Sequence, residues 1–237
     1  MAVAPLIRIT TCNNCRVMNS CIFSGLDEKD LPQATQRVLQ TPHTKGGTIF
    51  HHGTGTPVFG CYILYQGRAK LVVRAKNGKK VLFKFCRAGD LIDGVFLCGI
   101  EVHSTYAEAL EDSGVCFIPK ASFEELLHEY PQVSLEVIRR LSKDLAMLKK
   151  RLTDMACKDV RERLIGLLLN LGREYGVEEE GGLLIDLALS QQDLAEMVGT
   201  SRQTVNQKLR RLEEKSLIII AKRKITITDE KELKELC

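Results

Sequence analysis

The sequence lacks any uninterrupted apolar run that approaches the about 18 residues needed for a membrane-spanning helix. Its first residues also lack the long apolar segment of a secretory signal peptide. Neither disorder nor a collagen-like repeat is indicated, because 44% of the 237 residues are hydrophobic and 27% are charged, as in ordinary globular chains. We therefore expect a cytoplasmic protein, and a chain of this length predicts two domains.

Motifs of catalysis are missing as well. The sequence contains no Ser-His-Asp constellation, no glycine-rich loop for phosphate and no paired carboxylates in a credible site. The five histidines include the adjacent His51 and His52, which we expect at the exposed end of a strand. The sequence therefore predicts that the protein is not an enzyme.

Cysteine, by contrast, is plentiful. Nine cysteines, an odd number without an export signal, indicate reduced thiols or metal ligands rather than a disulfide framework. Cys12, Cys15 and Cys21 form a C-x2-C-x5-C array in a turn-prone segment where their thiols can converge. Thiolates suit an iron–sulfur cluster or zinc, and the array needs a fourth ligand. Scattered cysteines without a shared role are the alternative, and a thioredoxin-like redox pair is disfavoured because the array precedes any convincing strand.

A long amphipathic helix is predicted over residues 131–157. Apolar residues recur along it at alternating steps of three and four, and charged residues flank them, which is the pattern of a helix that pairs with a parallel copy. The predicted dimer seam consists of Ile138, Leu141, Leu145, Leu148, Leu152 and Met155. The alternative is a core helix that packs against its own domain.

Short extended segments separated by glycine occupy residues 46–119. Strands are predicted at 58–65, 68–75, 79–85, 104–110 and 114–118. The dipeptides Gln66-Gly67 and Asn77-Gly78 predict hairpin turns between the first three. Several short strands at this spacing indicate an antiparallel jelly roll or barrel, here a β-roll that follows a cysteine-bearing arm.

The chain beyond residue 158 returns to helical patterns. An amphipathic helix is predicted at 160–175, followed by a loop around 178–182. A short helix is predicted at 191–197. Ser190 and Asp193 are spaced as a capping box that begins it.

A second helix and a wing follow this short helix. Gly199 makes the turn, and Thr200 with Gln203 predicts the cap of a helix at 201–212. Helix, glycine turn and helix of this size predict a helix-turn-helix, and an αα-hairpin without a nucleic-acid role is the alternative. The wing would consist of strands joined through Lys222 and Arg223, at 218–221 and 224–227.

Positive charge is concentrated in this part of the chain. Residues 199–224 contain eight Lys or Arg and two Glu, a local excess of +6 that suits phosphate. The second helix offers side chains that can read base edges in the major groove, namely Arg202, Gln203, Asn206 and Gln207. Cations on the helix and the wing can contact phosphates, namely Lys208, Arg210, Arg211, Lys222 and Arg223.

Together these features resemble the CRP/FNR superfamily of bacterial transcription regulators over nearly the whole chain. The resemblance rests on Gly67, the Gly-Asp-Leu-Ile segment 89–92, the long central helix and the Gly-Thr-Ser-Arg-Gln-Thr-Val segment 199–205. It implies an α+β protein with a β-roll sensor domain, a dimerisation helix and a winged helix-turn-helix, at 1–130, 131–157 and 158–237. Its implied partners are a second copy of the chain, double-stranded DNA with a palindromic operator, and RNA polymerase.

The cysteine array is similar to that of the oxygen-sensing FNR branch, whose fourth cluster ligand lies in the β-roll shortly before Ile-Pro. The matching residue is Cys116, in the Val-Cys-Phe-Ile-Pro segment 115–119. The resemblance therefore implies a [4Fe-4S] cluster on Cys12, Cys15, Cys21 and Cys116, with Cys98 as the rival fourth ligand. A zinc or thiol-switch regulator that uses the same cysteines is one alternative, and a regulator that binds a small effector in the β-roll is another.

Three departures from the family pattern limit what the resemblance implies. Cyclic-AMP-binding members have a Glu and an Arg-Ser or Arg-Thr pair where this chain has Gly94 and His103-Ser104, so no cyclic nucleotide is expected. FNR-type readers carry Glu, Ser and Arg where this chain has amide side chains, so neither known half-site can be transferred. The seam also lacks the acidic residue that makes FNR dimers depend on the cluster, so the resemblance does not imply cluster-dependent dimerisation.

Overall fold

A computed structural model describes residues 12–52, 60–75, 77–93 and 104–236. The chain divides into two compact units, Met1–Ala146 and Met147–Cys237. None of the helices within the described ranges has the length and apolarity that crossing a membrane requires.

Eight strands lie within the described residues of the first unit: β1 (Leu39–His43), β2 (Thr48–His52), β3 (Gly60–Gln66), β4 (Arg68–Arg74), β5 (Lys80–Arg87), β6 (Leu91–Asp93), β7 (Ser104–Ala109) and β8 (Ser113–Pro119). They form two antiparallel four-stranded sheets, with the orders β1-β8-β3-β6 and β2-β7-β4-β5. The prediction of an antiparallel β-roll is confirmed.

The two predicted hairpin turns differ in the structure. Asn77-Gly78 lies between the paired strands β4 and β5, and Gly78 has the positive φ of +80° that such a turn requires. Gln66-Gly67 does not close a hairpin, because β3 pairs with β8 and β6 whereas β4 pairs with β7 and β5. Gly67, with φ of +84°, instead turns the chain from one sheet to the other.

Parts of the first unit have no counterpart among the predicted elements. β1 buries none of its five residues and contains Pro42, so it shows no apolar alternation. β2 ends at His52, and His51 beside it is exposed, as expected of a histidine pair at a strand end. Two helices were also missed, the single turn α1 (Leu31–Ala34) and α2 (Lys120–Glu129), which follows β8 directly.

Two hydrophobic cores cover the two faces of the sheet that contains β3 and β8. The core between the sheets includes Phe50, Leu64, Leu71, Ile92 and Val115. The outer core includes residues of the arm, of β3, of α2 and of the following helix, among them Ile22, Cys61, Ile63, Phe123 and Val133. The arm therefore packs on the outer face of this sheet, where β8 presents Cys116.

The long helix α3 (Pro131–Cys157) has the bounds predicted for it. Its first turns bury Val133 and Val137 in the outer core. Further along, the Nζ of Lys84 on β5 donates to Oδ2 of Asp144 at 2.6 Å. One side of this part of α3 is thus fixed to the β-roll.

The second unit contains a three-helix core and a small sheet. Its elements are α4 (Val160–Tyr175), β9 (Gly176–Glu179), β10 (Gly182–Ile185), α5 (Gln191–Val198), α6 (Arg202–Glu214), β11 (Ile218–Ala221), β12 (Lys224–Ile227) and α7 (Glu230–Glu235). The sheet is antiparallel, with the order β11-β12-β10-β9. The predicted helix-turn-helix and wing are confirmed.

The predicted loop around 178–182 is wrong. This segment is the β9–β10 hairpin, in which Glu179 pairs with Gly182 across a two-residue turn. Every residue of β9 is exposed, so no apolar alternation marks it as a strand. The run Glu178-Glu179-Glu180 therefore looks like a solvated loop in the sequence.

One of the two predicted helix caps is also wrong. Ser190 and Asp193 form the expected capping box of α5. The cap of α6, however, is Ser201 rather than Thr200, and its Oγ accepts a hydrogen bond from the N–H of Thr204 at 3.1 Å. Thr200 is instead part of the turn after Gly199, where its N–H donates to the carbonyl of Ala195.

Candidate nucleic-acid interface and cysteine cluster

Helix α6 separates a buried face from a polar one. Val205, Leu209 and Leu212 are buried at helical spacing, which holds the helix on the core of the second unit. The opposite face is exposed at Arg202, Gln203, Gln207, Arg210 and Arg211, with Asn206 half-buried. The amides and guanidinium groups predicted to read bases therefore share one accessible face, as major-groove reading requires.

Lys208 does not belong to this face. It lies about 140° around the helix from Gln203, because each residue advances by about 100°. It is half-buried and close enough to Asp159 to help lower the pKa of that carboxyl, after the larger effect of the hydrogen bond from the backbone N–H of Glu162. The structure thus places Lys208 beside the start of α4 and one helical turn before Arg211.

The wing presents two cations at its tip. Lys222 and Arg223 are exposed and join β11 to β12 with φ of 48° and 67°, a left-handed conformation that side chains other than glycine rarely adopt. The carbonyl of Arg223 accepts a hydrogen bond from the N–H of Leu189, which fixes the wing to the segment before α5. Lys224 is different, because its Nζ is paired with Oδ1 of Asp186 at 2.6 Å.

The cysteine-bearing arm follows a series of tight turns. Two 3-10 turns, Cys12–Asn14 and Met18–Ser20, contain or adjoin the array, and the N–H of Cys15 donates to the carbonyl of Cys12 at 3.1 Å. Cys21 is buried in the outer core, and Cys12 and Cys15 pack against this core. Short turns of this kind bring residues separated by three to nine positions to one location.

Cys116 of β8 belongs to the same core. It is opposite Ile63 in the β3–β8 ladder, and the thiols of the arm are close enough to raise its pKa. Cys116 therefore shares one core with Cys12, Cys15 and Cys21. Cys98, the rival ligand, lies outside the described residues, as do Gly94 and His103.

Three of the four thiols have a raised pKa in this arrangement. Burial, followed by the nearby thiols, raises the pKa of Cys116 to about 12, and burial likewise raises the pKa of Cys21 to about 11. Burial also raises the pKa of Cys12. Because metal ligands are thiolates, binding of a metal here would release protons.

Within the described ranges, no three His, Cys, Asp or Glu side chains stand as close together as metal coordination requires. The arm and β8 would have to close further around a metal. Cys61 of β3, which belongs to no motif in the sequence, is buried in the same core and is close enough to Cys116 for the two thiols to interact electrostatically. It shares a sheet face with Cys116, a relationship that only the strand register reveals.

Most of the predicted dimer seam is exposed to solvent. The exposed fraction is 56% for Ile138, 53% for Leu145, 39% for Leu148, 72% for Leu152 and 46% for Met155. Leu141 differs, because it packs against the outer core of its own unit. An apolar stripe of this length on a helix that is fixed on its other side needs a partner.

The models of two domain families match parts of this chain. The model of the cyclic nucleotide-binding domain matches residues 41–130, and that of the Crp-like helix-turn-helix domain matches residues 162–236. The first match covers the β-roll. Its domain family is named for cyclic nucleotide binding, whereas the sequence predicts that this chain binds no cyclic nucleotide. The second covers α5, α6 and the wing.

Relatives of similar length align over nearly the whole chain. The fumarate and nitrate reduction regulatory protein of Vibrio cholerae is 26% identical over 95% of this chain and 89% of its own. The protein of the same name from Escherichia coli is 25% identical over the same shares. The CRP-like cAMP-activated global transcriptional regulator of Mycobacterium tuberculosis is 24% identical over 90% of this chain and 94% of its own.

Solved structures show the same fold. A mutant of CooA from Carboxydothermus hydrogenoformans superposes with a TM-score of 0.77 at 21% identity, over 94% of this chain and 98% of that one. A CRP/FNR-family transcriptional regulator from Thermus thermophilus has a TM-score of 0.67 at 25% identity, over 84% of this chain and 97% of that one. These relatives are regulators and not enzymes. With a β-roll, a long helix and a winged helix-turn-helix in this order, the chain is a DNA-binding transcription regulator of the CRP/FNR family.

Proposed function

We propose that this regulator senses oxygen, nitric oxide or redox state through a [4Fe-4S] cluster held by Cys12, Cys15, Cys21 and Cys116. The observation that carries the proposal is the meeting of these four thiols, three from the arm and one from β8, in one core. The relatives named for fumarate and nitrate reduction support it.

The donor set suits a cluster in its chemistry. Four cysteines supply four soft thiolates, which is the common ligand set of [4Fe-4S] clusters. When bound, the cluster would supply reactivity toward oxygen, nitric oxide or peroxide. The chain itself would contribute the closure of the arm on β8.

The exposed stripe of α3 is the proposed dimer interface. A second copy pairing along Ile138, Leu145, Leu148, Leu152 and Met155 would bury this stripe. A two-fold dimer then presents two copies of α6, which must enter major grooves about 34 Å apart. Its operator would accordingly be palindromic, and bound there it could contact RNA polymerase.

A cyclic nucleotide is not part of the proposal. The chain has Gly94 and His103-Ser104 where a ribose-binding Glu and a phosphate-binding Arg would be needed. Without a guanidinium, a buried cyclic phosphate would lose its charge-assisted hydrogen bonds. We therefore attribute the match of residues 41–130 to the cyclic nucleotide-binding domain to a shared fold and not to a shared ligand.

Anaerobic purification tests the cluster directly. We expect a brown protein with broad visible absorption and about four iron atoms per chain. Cys12→Ala, Cys15→Ala, Cys21→Ala and Cys116→Ala should each abolish the colour. Cys61→Ala, in the same core as Cys116, and Cys157→Ala, at the exposed end of α3, are the matched controls that should retain it. A colourless protein with stoichiometric zinc would establish the zinc alternative instead.

A further inference from the structure

Arg140 of α3 reaches backbone carbonyls from two distant parts of the chain. Its Nη1 donates to the carbonyl oxygen of Gly89 at 2.9 Å, and its Nη2 donates to the carbonyl oxygen of Ser20 at 2.6 Å. Nη2 also pairs with the carboxylate of Glu136 at 3.1 Å. Because Ser20 immediately precedes Cys21, this guanidinium joins the cysteine-bearing arm, the β5–β6 turn and α3.

The remaining nitrogen of this guanidinium finds no acceptor among the described residues. Nε of Arg140 is buried and makes no hydrogen bond to any part of the chain that the structure describes. Proteins rarely leave a buried donor unpaired without a reason. Nη2 of the same guanidinium already donates to Ser20, the residue immediately before Cys21. An unused donor and a positive charge are thus present beside one of the four thiols.

The unpaired Nε donor and the positive charge of Arg140 would both stabilise a cysteine site that binds a metal. Each thiol that binds a metal loses a proton, and the resulting negative charge is costly in a buried site. A guanidinium offsets this charge at every accessible pH, and its N–H groups can donate to sulfur. Groups that surround the ligands in this way are known to tune metal sites.

We propose that Arg140 is a positioning residue of the cysteine site, which holds the Cys21 loop against α3 and stabilises the thiolates when a metal is bound. This inference rests on the metal-binding role proposed above. It also connects the site to the dimer helix, because any displacement of Ser20 breaks a hydrogen bond to α3.

The neighbouring arginine provides a matched control. Arg139 is on the same helix and pairs with the same Glu136, at 3.4 Å, but three quarters of its side chain is exposed. Arg139→Gln and Arg140→Gln therefore remove the same charge from adjacent positions. Arg140→Lys keeps the charge but loses the planar fork that serves two carbonyls.

Two measurements test the proposal. In anaerobic protein challenged with a chelator, we expect Arg140→Gln to lose its iron about tenfold faster than wild type, as is typical when an outer-shell partner of a metal site is removed. Arg140→Lys should be intermediate, and Arg139→Gln should match wild type. In metal-free protein, hydrogen exchange at residues 17–23 should be faster in Arg140→Gln than in Arg139→Gln.

The outcomes separate this inference from the proposed function. If wild type holds iron and Arg140→Gln equals Arg139→Gln in both measurements, the role of Arg140 is refuted while the cluster stands. If wild type takes up no iron, both fail together. Should Arg140→Gln not fold, the comparison of Arg140→Lys with wild type decides, and equal iron loss and exchange would refute the inference.

Discussion

The backbone of Gly89 lies directly against Ser20. A side-chain carbon at position 89 would be 2.8 Å from the carbonyl oxygen of Ser20 and 2.7 Å from its Oγ. Gly89 also has φ of +100°, which favours glycine. The turn between β5 and β6 can therefore approach the cysteine-bearing arm only because residue 89 has no side chain.

Gly89→Ala should displace the arm as well as strain the turn. Gly78 has a similar φ of +80° but open space around its Cα, so Gly78→Ala adds the strain alone, about 1–2 kcal/mol. We expect Gly89→Ala to lower the free energy of unfolding further and to speed hydrogen exchange at residues 17–23. Urea unfolding and exchange measurements compare the two variants, and equal behaviour would show that the close approach is unimportant.

A charged side chain in the apolar stripe of α3 should prevent dimerisation. Leu145→Asp or Leu148→Asp puts a carboxylate opposite its symmetry mate, at a cost of several kcal/mol in a dry interface. Sedimentation at micromolar concentration should show monomers. Lys143→Asp, exposed on the same helix and opposite the stripe, changes the charge by a larger amount and should remain dimeric. A wild-type protein that is monomeric at this concentration would contradict the proposed interface.

Helices whose apolar residues recur at regular helical spacing could be predicted from the sequence. The bounds of α3 and the helix-turn-helix were recovered because their apolar residues recur at helical spacing and because Ser190 and Gly199 mark helix ends. β1 and β9 were missed because neither buries a residue, so their pairing alone defines them as strands.

Relationships between distant residues could not be predicted in this way. Arg140 belongs to a charged flank in the sequence, and only folding brings it to Ser20, 120 positions earlier. In the same way, Leu141 fits the period of the seam, but its place on the side of α3 nearest the β-roll assigns it to the core. Periodicity identifies a face of a helix, whereas the choice of partner depends on contacts made by the rest of the chain.

Base reading and phosphate binding should separate by mutation. Gln can pair with N6 and N7 of adenine, so Gln203→Ala or Gln207→Ala should cost about 1–3 kcal/mol at the cognate site and relax the preference there. Non-specific binding should hardly change. Selection from random DNA should return a two-fold symmetric motif for wild type and an altered one for these variants. An unchanged motif in both variants would show that this face of α6 does not read sequence.

One double substitution at the tip of the wing should make the protein more stable but weaken its binding to DNA. Lys222 and Arg223 occupy consecutive left-handed positions, where the pair Asn-Gly is strongly preferred in two-residue hairpins. Each non-glycine residue in this conformation costs about 1–2 kcal/mol. Lys222→Asn with Arg223→Gly should therefore raise the free energy of unfolding of the second unit, measured in urea.

The same double substitution should weaken binding to every DNA sequence. Two phosphate contacts would be lost, so the slope of log affinity against log salt should fall by about two. Lys222→Ala with Arg223→Ala is the control, because it removes both charges but keeps the left-handed backbone strain. It should weaken DNA binding equally and gain no stability. If the Asn-Gly variant were no more stable than the Ala-Ala variant, the tip would not be strained. If both variants kept the wild-type salt dependence, the tip would not contact phosphate.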